Sequence, residues 1–177
     1  MKYYIIISKS FYAFQCLCNM PMKQSAGILA YRFVNECLEV FLVHPGGPFW
    51  SKKDLGSWSI PKGEFNDDED PLIAAQREFE EEVGVKLTGD EIALKPVKLK
   101  SGKIVYAWAV KADIDVSKCV SNQFEIEWPP KSNKIISIPE IDRWEWFCIE
   151  YALKKVNPAQ SAFILELIEL TESDATY

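Results

Sequence analysis

The chain of 177 residues is poor in the residues that most enzymes use for proton transfer and nucleophilic attack. It has one histidine, His44. No Ser-His-Asp set can be assembled around a position that stands so alone, so a serine-hydrolase triad is set aside. Its 8 glycines form neither a phosphate-cradling P-loop nor a dinucleotide-binding Gly-x-Gly-x-x-Gly turn. Five cysteines (Cys16, Cys18, Cys37, Cys119, Cys148) are too scattered for a zinc site, since Cys16 and Cys18 have no partner pair of similar spacing. With no clear secretory signal, that odd count favours free thiols in a reducing cytoplasm. No apolar run is long enough to span a bilayer, and Tyr3 to Ile7 near the N-terminus is too short to do so. Repeats and low-complexity blocks are absent. Positive charge is the minority sign: 20 Lys and Arg against 26 Asp and Glu give a net charge of −6, which disfavours binding of long nucleic acid. Hydrophobic residues make up 48%, enough for the core of one domain.

The acidic residues are present in one concentrated place. Gly63 to Val85 reads GEFNDDEDPLIAAQREFEEEVGV. Asp68 to Asp70 offer N-cap oxygens, Pro71 suits the first helical position, and Gly84 suits a left-handed C-cap. Between them Leu72, Ala75, Phe79 and Val83 step by three, four and four, forming an apolar stripe. Glu78, Glu81 and Glu82 lie off the stripe and can converge over one turn. Four carboxylates in five residues, Glu78 and Glu80 to Glu82, repel one another near the helix C-terminus, where the dipole also disfavours negative charge. Arg77 reaches only part of the cluster. A hard divalent cation would offset the rest, although a run of this kind taken alone is more often a solvated face.

Spacing changes that balance. Gly63, Glu69, Arg77, Glu78, Phe79, Glu81, Glu82, Gly84 and Val85 fill the pattern Gly-x5-Glu-x7-Arg-Glu-U-x-Glu-Glu-x-Gly-U, U being bulky and apolar. At usages of about 5–7% per residue type, chance would produce it on the order of once in ten million such chains. The pattern is the signature of the Nudix hydrolases, and the chain resembles that family, in particular bacterial NTP and dinucleoside polyphosphate pyrophosphohydrolases. The resemblance implies an α/β/α sandwich around a mixed sheet and hydrolysis of a phosphoanhydride in a nucleoside diphosphate-linked substrate. It implies Mg²⁺ (or Mn²⁺) held by Glu78, Glu82 and Glu81 with the Gly63 carbonyl, while Glu69, Arg77 and Gly84 shape the loop around the helix. A Pro-Lys-Gly before the signature, here Pro61-Lys62-Gly63, is frequent in relatives acting on dinucleoside polyphosphates. Several relatives bring a further glutamate about six residues before a tryptophan of a late strand, and Glu140 before Trp146 fits. Glu78 or Glu140 is then the candidate base for the attacking water. The alternative class is a catalytically silent nucleotide-binding sensor or regulator.

The remaining segments are read from pattern. Gly27 to Val34 and Leu38 to His44 predict a hairpin. His44 can meet a phosphate, shuttle protons, or cap a backbone group in a turn. Phe49 to Gly56 is a loop in which Trp50, Lys52 and Lys53 can meet a base and phosphates, with Lys62 and Lys53 the candidate substrate-binding lysines. Trp58 to Gly63 reads as a short strand and Glu91 to Leu99 as another. Lys103 to Val110 is apolar on both faces, as in a covered central strand. Trp108 and Trp128 are further candidates for stacking on a base. Phe124 to Trp128 alternates as a half-exposed strand, and Lys131 to Lys134 is a solvated basic loop. Two helices close the chain, Ile149 to Val156 and Pro158 to Leu170, followed by a frayed tail from Thr171 to Tyr177. Residues 1–21 are expected to be an extension without catalytic part, an edge strand or weak membrane association being the alternatives, and 22–177 a single domain.

Overall fold

A computed structural model describes residues 23–174; the expected extension at 1–21 lies outside them. The main sheet starts with β1 (Gln24–Val34) and β2 (Cys37–Pro45), joined by Asn35 and Glu36, both at positive φ. Such a two-residue turn matches the twist of the flanking strands. β3 (Lys62–Phe65), β4 (Glu91–Lys98), β5 (Ile104–Lys111) and β8 (Ile141–Cys148) complete it. Strand order is β4-β5-β1-β2-β8, with β3 also on β1. β1 runs parallel to β5, and its other pairings are antiparallel. That second edge of β1 is shared. Gln24 to Gly27 pair with β3, whereas Tyr31 to Val34 pair with β2. The sheet therefore forks, and β3 and the end of β2 part on either side of a cleft. β6 (Gln123–Glu127) and β7 (Ile135–Pro139) form a separate two-stranded sheet.

Side-chain alternation divides the core in two. Leu29, Tyr31, Val40 and Leu42 face α2 (Ile149–Lys155) and α3 (Ser161–Asp174), burying Ala152, Phe163, Ile164 and Leu167. Ile28, Ala30, Phe41 and Val43 face α1 (Pro71–Val83), burying Ala74, Ala75, Phe79 and Val83. The layers are those of an α/β/α sandwich. β5 supplies both cores, Val105, Ala107 and Ala109 to one and Val110 and Trp108 to the other.

Three local expectations change. Trp58 and Ser59 make only isolated bridges, to Val156 and Val43, and the regular strand begins at Lys62. Pro158–Gln160 is a 3-10 turn, capped by Asn157, that precedes α3. The tail through Asp174 is helical instead of frayed. Thr171 donates to the Leu167 and Ile168 carbonyls and Ser173 to that of Glu169, so the last turn is held from within.

Candidate active site

Helix α1 is built as its ends suggest. The Asp70 carboxylate accepts the backbone N–H groups of Leu72 and Ile73, Pro71 opens the first turn, and Gly84 closes the helix at φ 74°. Its buried face comprises Ala74, Ala75, Phe79 and Val83, and it carries Glu78 and Glu82 down with them. Tryptophan side chains from β8 pin this end of the sandwich: Trp144 Nε1 donates to the Glu82 carbonyl at 2.9 Å and Trp146 Nε1 to the Ile114 carbonyl at 3.0 Å.

Arg77 organises the loop before the helix. It donates to both carboxylate oxygens of Glu69, at 3.1 and 3.2 Å, to Glu78 at 2.6 Å and to Glu81 at 3.4 Å. The bond to Glu69, then those to Glu78 and Glu81, hold the guanidinium firmly protonated. Burial pushes the Glu78 carboxyl up, opposed by Arg77 and reinforced by the charges of Glu81 and Glu140. Burial raises Glu82 further, to about 8, although the Lys62 ammonium and the Lys62 N–H, which donates to Glu82 at 3.0 Å, both act against it. Glu140 and Glu78 add to the rise. Glu140 thus joins the electrostatics of the helix from the turn between β7 and β8.

Gly63 explains how close these parts come. A Cβ on residue 63 would overlap the Glu78 carboxylate, so only glycine lets the strand lie against it. Gly46 does the same for the hairpin. A Cβ there would collide with the Pro139 carbonyl, and its N–H donates to the Glu140 carbonyl at 2.8 Å. The two glycines draw Glu140 and Glu78 to one region from opposite sides.

A cavity of about 350 Å³ opens at the fork of the sheet. Lys62, Gly63, Glu82 and Glu140 line it, as do Trp50 and Phe124. Glu64 is at its edge, held below the usual carboxylate range by a hydrogen bond from Lys103 and then by the charges of Lys103, Lys23 and Lys62. Lys103, Ser25 and Phe124 carry no local sequence signal; they meet the cavity only through the pairing of β1 with β5 and the packing of the β6–β7 hairpin. Lys53 is not among the lining residues. Its ammonium lies 4.4 Å from the centroid of the Trp50 ring, one side chain away from the cavity. Trp128 packs on Phe49, and Trp108 supports the core around α1. His44 is fully buried within β2. Its Nε2 donates to the Lys53 carbonyl at 2.9 Å and its Nδ1 lies 2.6 Å from Asp142. The ring caps a backbone group, as one of its expected roles had it, but from a strand instead of a turn.

Among the described residues no three His, Cys, Asp or Glu side chains stand together as a ready-made metal site. Glu78 is turned to Arg77 and Glu82 to the Lys62 N–H. The donor type nevertheless fits a hard divalent cation, because Glu78, Glu82 and Glu140 are oxygen donors whose mutual repulsion, and the burial of Glu78 and Glu82, a cation would offset.

A family model described as the NUDIX domain matches residues 22–167. No curated protein matches the chain. Among solved structures, a Caenorhabditis elegans Ap4A hydrolase in a binary complex is similar at 22% identity, with a TM-score of 0.56 over 86% of this chain and 99% of that one. The NUDIX domain of Shewanella oneidensis NrtR, complexed with ADP ribose, has a TM-score of 0.58 at 15% identity, covering 96% of this chain and 99% of that one. A mutT/nudix family protein from Listeria innocua has a TM-score of 0.52 at 15% identity, covering 89% and 96%. At these identities the likeness speaks for the fold.

Proposed function

From the premise that the chain belongs to the NUDIX family, the pyrophosphohydrolases of phosphorus-containing anhydrides, we propose that it cleaves a pyrophosphate bond in a nucleoside triphosphate or dinucleoside polyphosphate with Mg²⁺ (or Mn²⁺). The observation that supports this reading is the cavity lined by buried Glu82 together with Gly63, Glu140 and Lys62. Glu78, Glu82 and Glu81, with the Gly63 carbonyl, are the groups that would hold the cation. When bound, it would neutralise charge on the phosphate oxygens and make water a better nucleophile.

The protein's own groups divide the remaining work. Glu140 or Glu78 takes the proton from the water that attacks phosphorus. Lys62 steadies the phosphate oxygens, favouring the charge that builds as the bridging P–O bond breaks. Lys53 meets the chain further out, and Trp50 offers a ring to the base. Arg77 and Glu69 keep the loop from Gly63 to Asp70 in register with the helix. Residues 22–177 act as one domain, with 1–21 taking no part in the reaction. Cys37 and Cys148 are exposed free thiols, which suits a reducing cytoplasm. Among the described residues no helix is long and apolar enough to cross a membrane.

The test is turnover of a nucleotide panel with Mg²⁺, product identification in ¹⁸O-labelled water, and the Glu82→Gln variant. Metal-dependent product from wild type and loss of at least about a hundredfold in the variant are expected. Unchanged turnover in Glu82→Gln would remove this assignment, and nucleotide binding without product would favour a silent sensor.

A further inference from the structure

His44 takes no part in the reaction, yet its ring is completely enclosed near the end of β2. It is held from two sides. Nδ1 lies 2.6 Å from Asp142 on the neighbouring strand β8, and the Trp58 ring packs edge-on with centroids 5.3 Å apart. The Lys53 carbonyl can only accept, so Nε2 carries the hydrogen that closes the 2.9 Å bond to it. Turning the ring over would lose both bonds. Arg143 reaches the same carbonyl at 3.4 Å, a longer and weaker contact. Lys53 ends a turn that is otherwise bonded to itself. Trp50 and Ser51 donate to the Gly47 carbonyl and Lys53 to the Trp50 carbonyl, whereas beyond Lys53 the chain is tied to α2, through Gly56 to Lys154 and Trp58 to Lys155. Among the described residues, the backbone of 48–53 has no hydrogen bond outside the turn except those that its last carbonyl receives from His44 and Arg143. Lys53 also reaches inward. Its N–H donates to the Trp50 carbonyl at 2.7 Å, its ammonium lies over the Trp50 ring, and Trp50 lines the cavity.

Resting on the reading of the site as a phosphoanhydride hydrolase, we infer that His44 is a positioning residue: it straps the turn at 47–53, and with it Trp50, against the cavity and so sets substrate affinity. His44 is not among the residues lining the cavity, so it acts through Lys53 and Trp50. Burial of the donor gives the strap its strength. A surface bond is exchanged for one to water when a loop lifts, at little net cost. Here lifting the turn takes the acceptor from a donor whose ring the fold encloses, and the desolvation of that donor is left uncompensated. Asp142 keeps the ring aimed, because the bond at one ring nitrogen fixes what the other presents. Phe49 adds an edge-on contact to Trp128, but more than half of its surface stays exposed.

Trypsin reads the strap without any ligand, because Lys52 and Lys53 are exposed in this turn and Lys131 and Lys134 are exposed in the separate β6–β7 turn. In the folded full chain, His44→Phe should speed cleavage after Lys52 and Lys53 by about tenfold, and after Lys131 and Lys134 by less than about twofold. His44→Gln, whose amide N–H can stand in for Nε2, should recover most of the protection. Asp142→Ala, at the partly exposed end of the pair, leaves the core filled and should speed the same cleavage by about threefold. It decides the matter if His44→Phe does not fold. In turnover of a nucleotide panel with Mg²⁺, His44→Phe should raise KM by about tenfold and change kcat by less than about twofold. Cleavage of the turn within about twofold of wild type in the folded variants would overturn the inference. So would equal acceleration at both turns, which is a general loosening, a Gln variant no better than Phe, or faster cleavage with KM unchanged. If wild type hydrolyses no nucleotide and the variants release this turn alone, the strap stands and the hydrolase reading falls. If wild type hydrolyses nucleotides and the turn is cut no faster in the variants, the reverse holds.

Discussion

Gly63→Ala separates the chemistry from the fold at their point of closest contact. The new methyl would overlap the Glu78 carboxylate. To reach ordinary contact at about 3.5 Å the carboxylate must withdraw by roughly 2 Å. Backbone strain does not contribute, because Gly63 has no left-handed φ. Alanine in place of glycine narrows the unfolded ensemble, a gain of about 0.4–1 kcal/mol. Against it stands the 2.6 Å bond between Arg77 and Glu78, which as a charged pair is worth about 1.5–3 kcal/mol. The net stability loss should lie between about 0.5 and 2.6 kcal/mol. Activity is more exposed, because a 1 Å misplacement of a positioned group already costs about a hundredfold. Turnover should therefore fall by at least about a hundredfold, or roughly 2.7 kcal/mol of barrier. Steady-state phosphate release, paired with urea unfolding, measures both quantities. A Glu78→Ala background supplies the control: with no carboxylate to displace, adding Gly63→Ala should cost nothing more. Turnover within threefold of wild type in the single variant, with the fold intact, would refute the reasoning.

Other perturbations read different parts of the molecule. Glu82 has a folded-state pKa of about 8, raised by burial from 4.5. Metal-free stability should thus be fully present below pH 4.5 and decline as pH rises to 8, by a few kcal/mol at most. Urea titrations in chelator should show that decline in wild type and its absence in Glu82→Gln. Phe79 is buried between α1 and the sheet, against Phe41, so Phe79→Ala should lose about 3–5 kcal/mol by chemical denaturation. Burial, and then Asp115, push the Cys119 thiol up to about 11. Iodoacetamide at pH 8 should label the exposed Cys37 and Cys148 well before Cys119, as peptide mass spectrometry would show.

What could be read from sequence was what the chain encodes locally. Helix α1 announces itself through Asp70, Pro71 and Gly84, and the β1–β2 hairpin through two β-rich runs, Gly27 to Val34 and Leu38 to His44, with a short break between them. The signature positions need no tertiary information, because their spacing alone puts Glu78 and Glu82 on one side of a helix. β7 was invisible for the opposite reason: Ile135–Pro139 is a strand only because it pairs with β6. Ser25 looks like any strand serine until β1, β3 and β5 are laid side by side. His44 shows how little a residue type says alone. Its partners, Asp142 and the Lys53 carbonyl, come from a distant strand and an irregular loop.

The β6–β7 hairpin hydrogen-bonds as a sheet of its own, yet it leads directly into Glu140 and places Phe124 on the cavity wall. No strand of the main sheet would lose a ladder partner if that hairpin were lengthened, shortened or exchanged. Its anchorage is local, resting on Gly46 against Pro139 and on the Glu140 N–H donating to the Asn122 carbonyl. The Phe124 side of the cavity wall and the carboxylates of α1 thereby belong to parts that can be replaced separately. Grafting residues 123–139 between proteins of this architecture, with Gly46 retained, is a route to new substrates that leaves α1 and its carboxylates untouched.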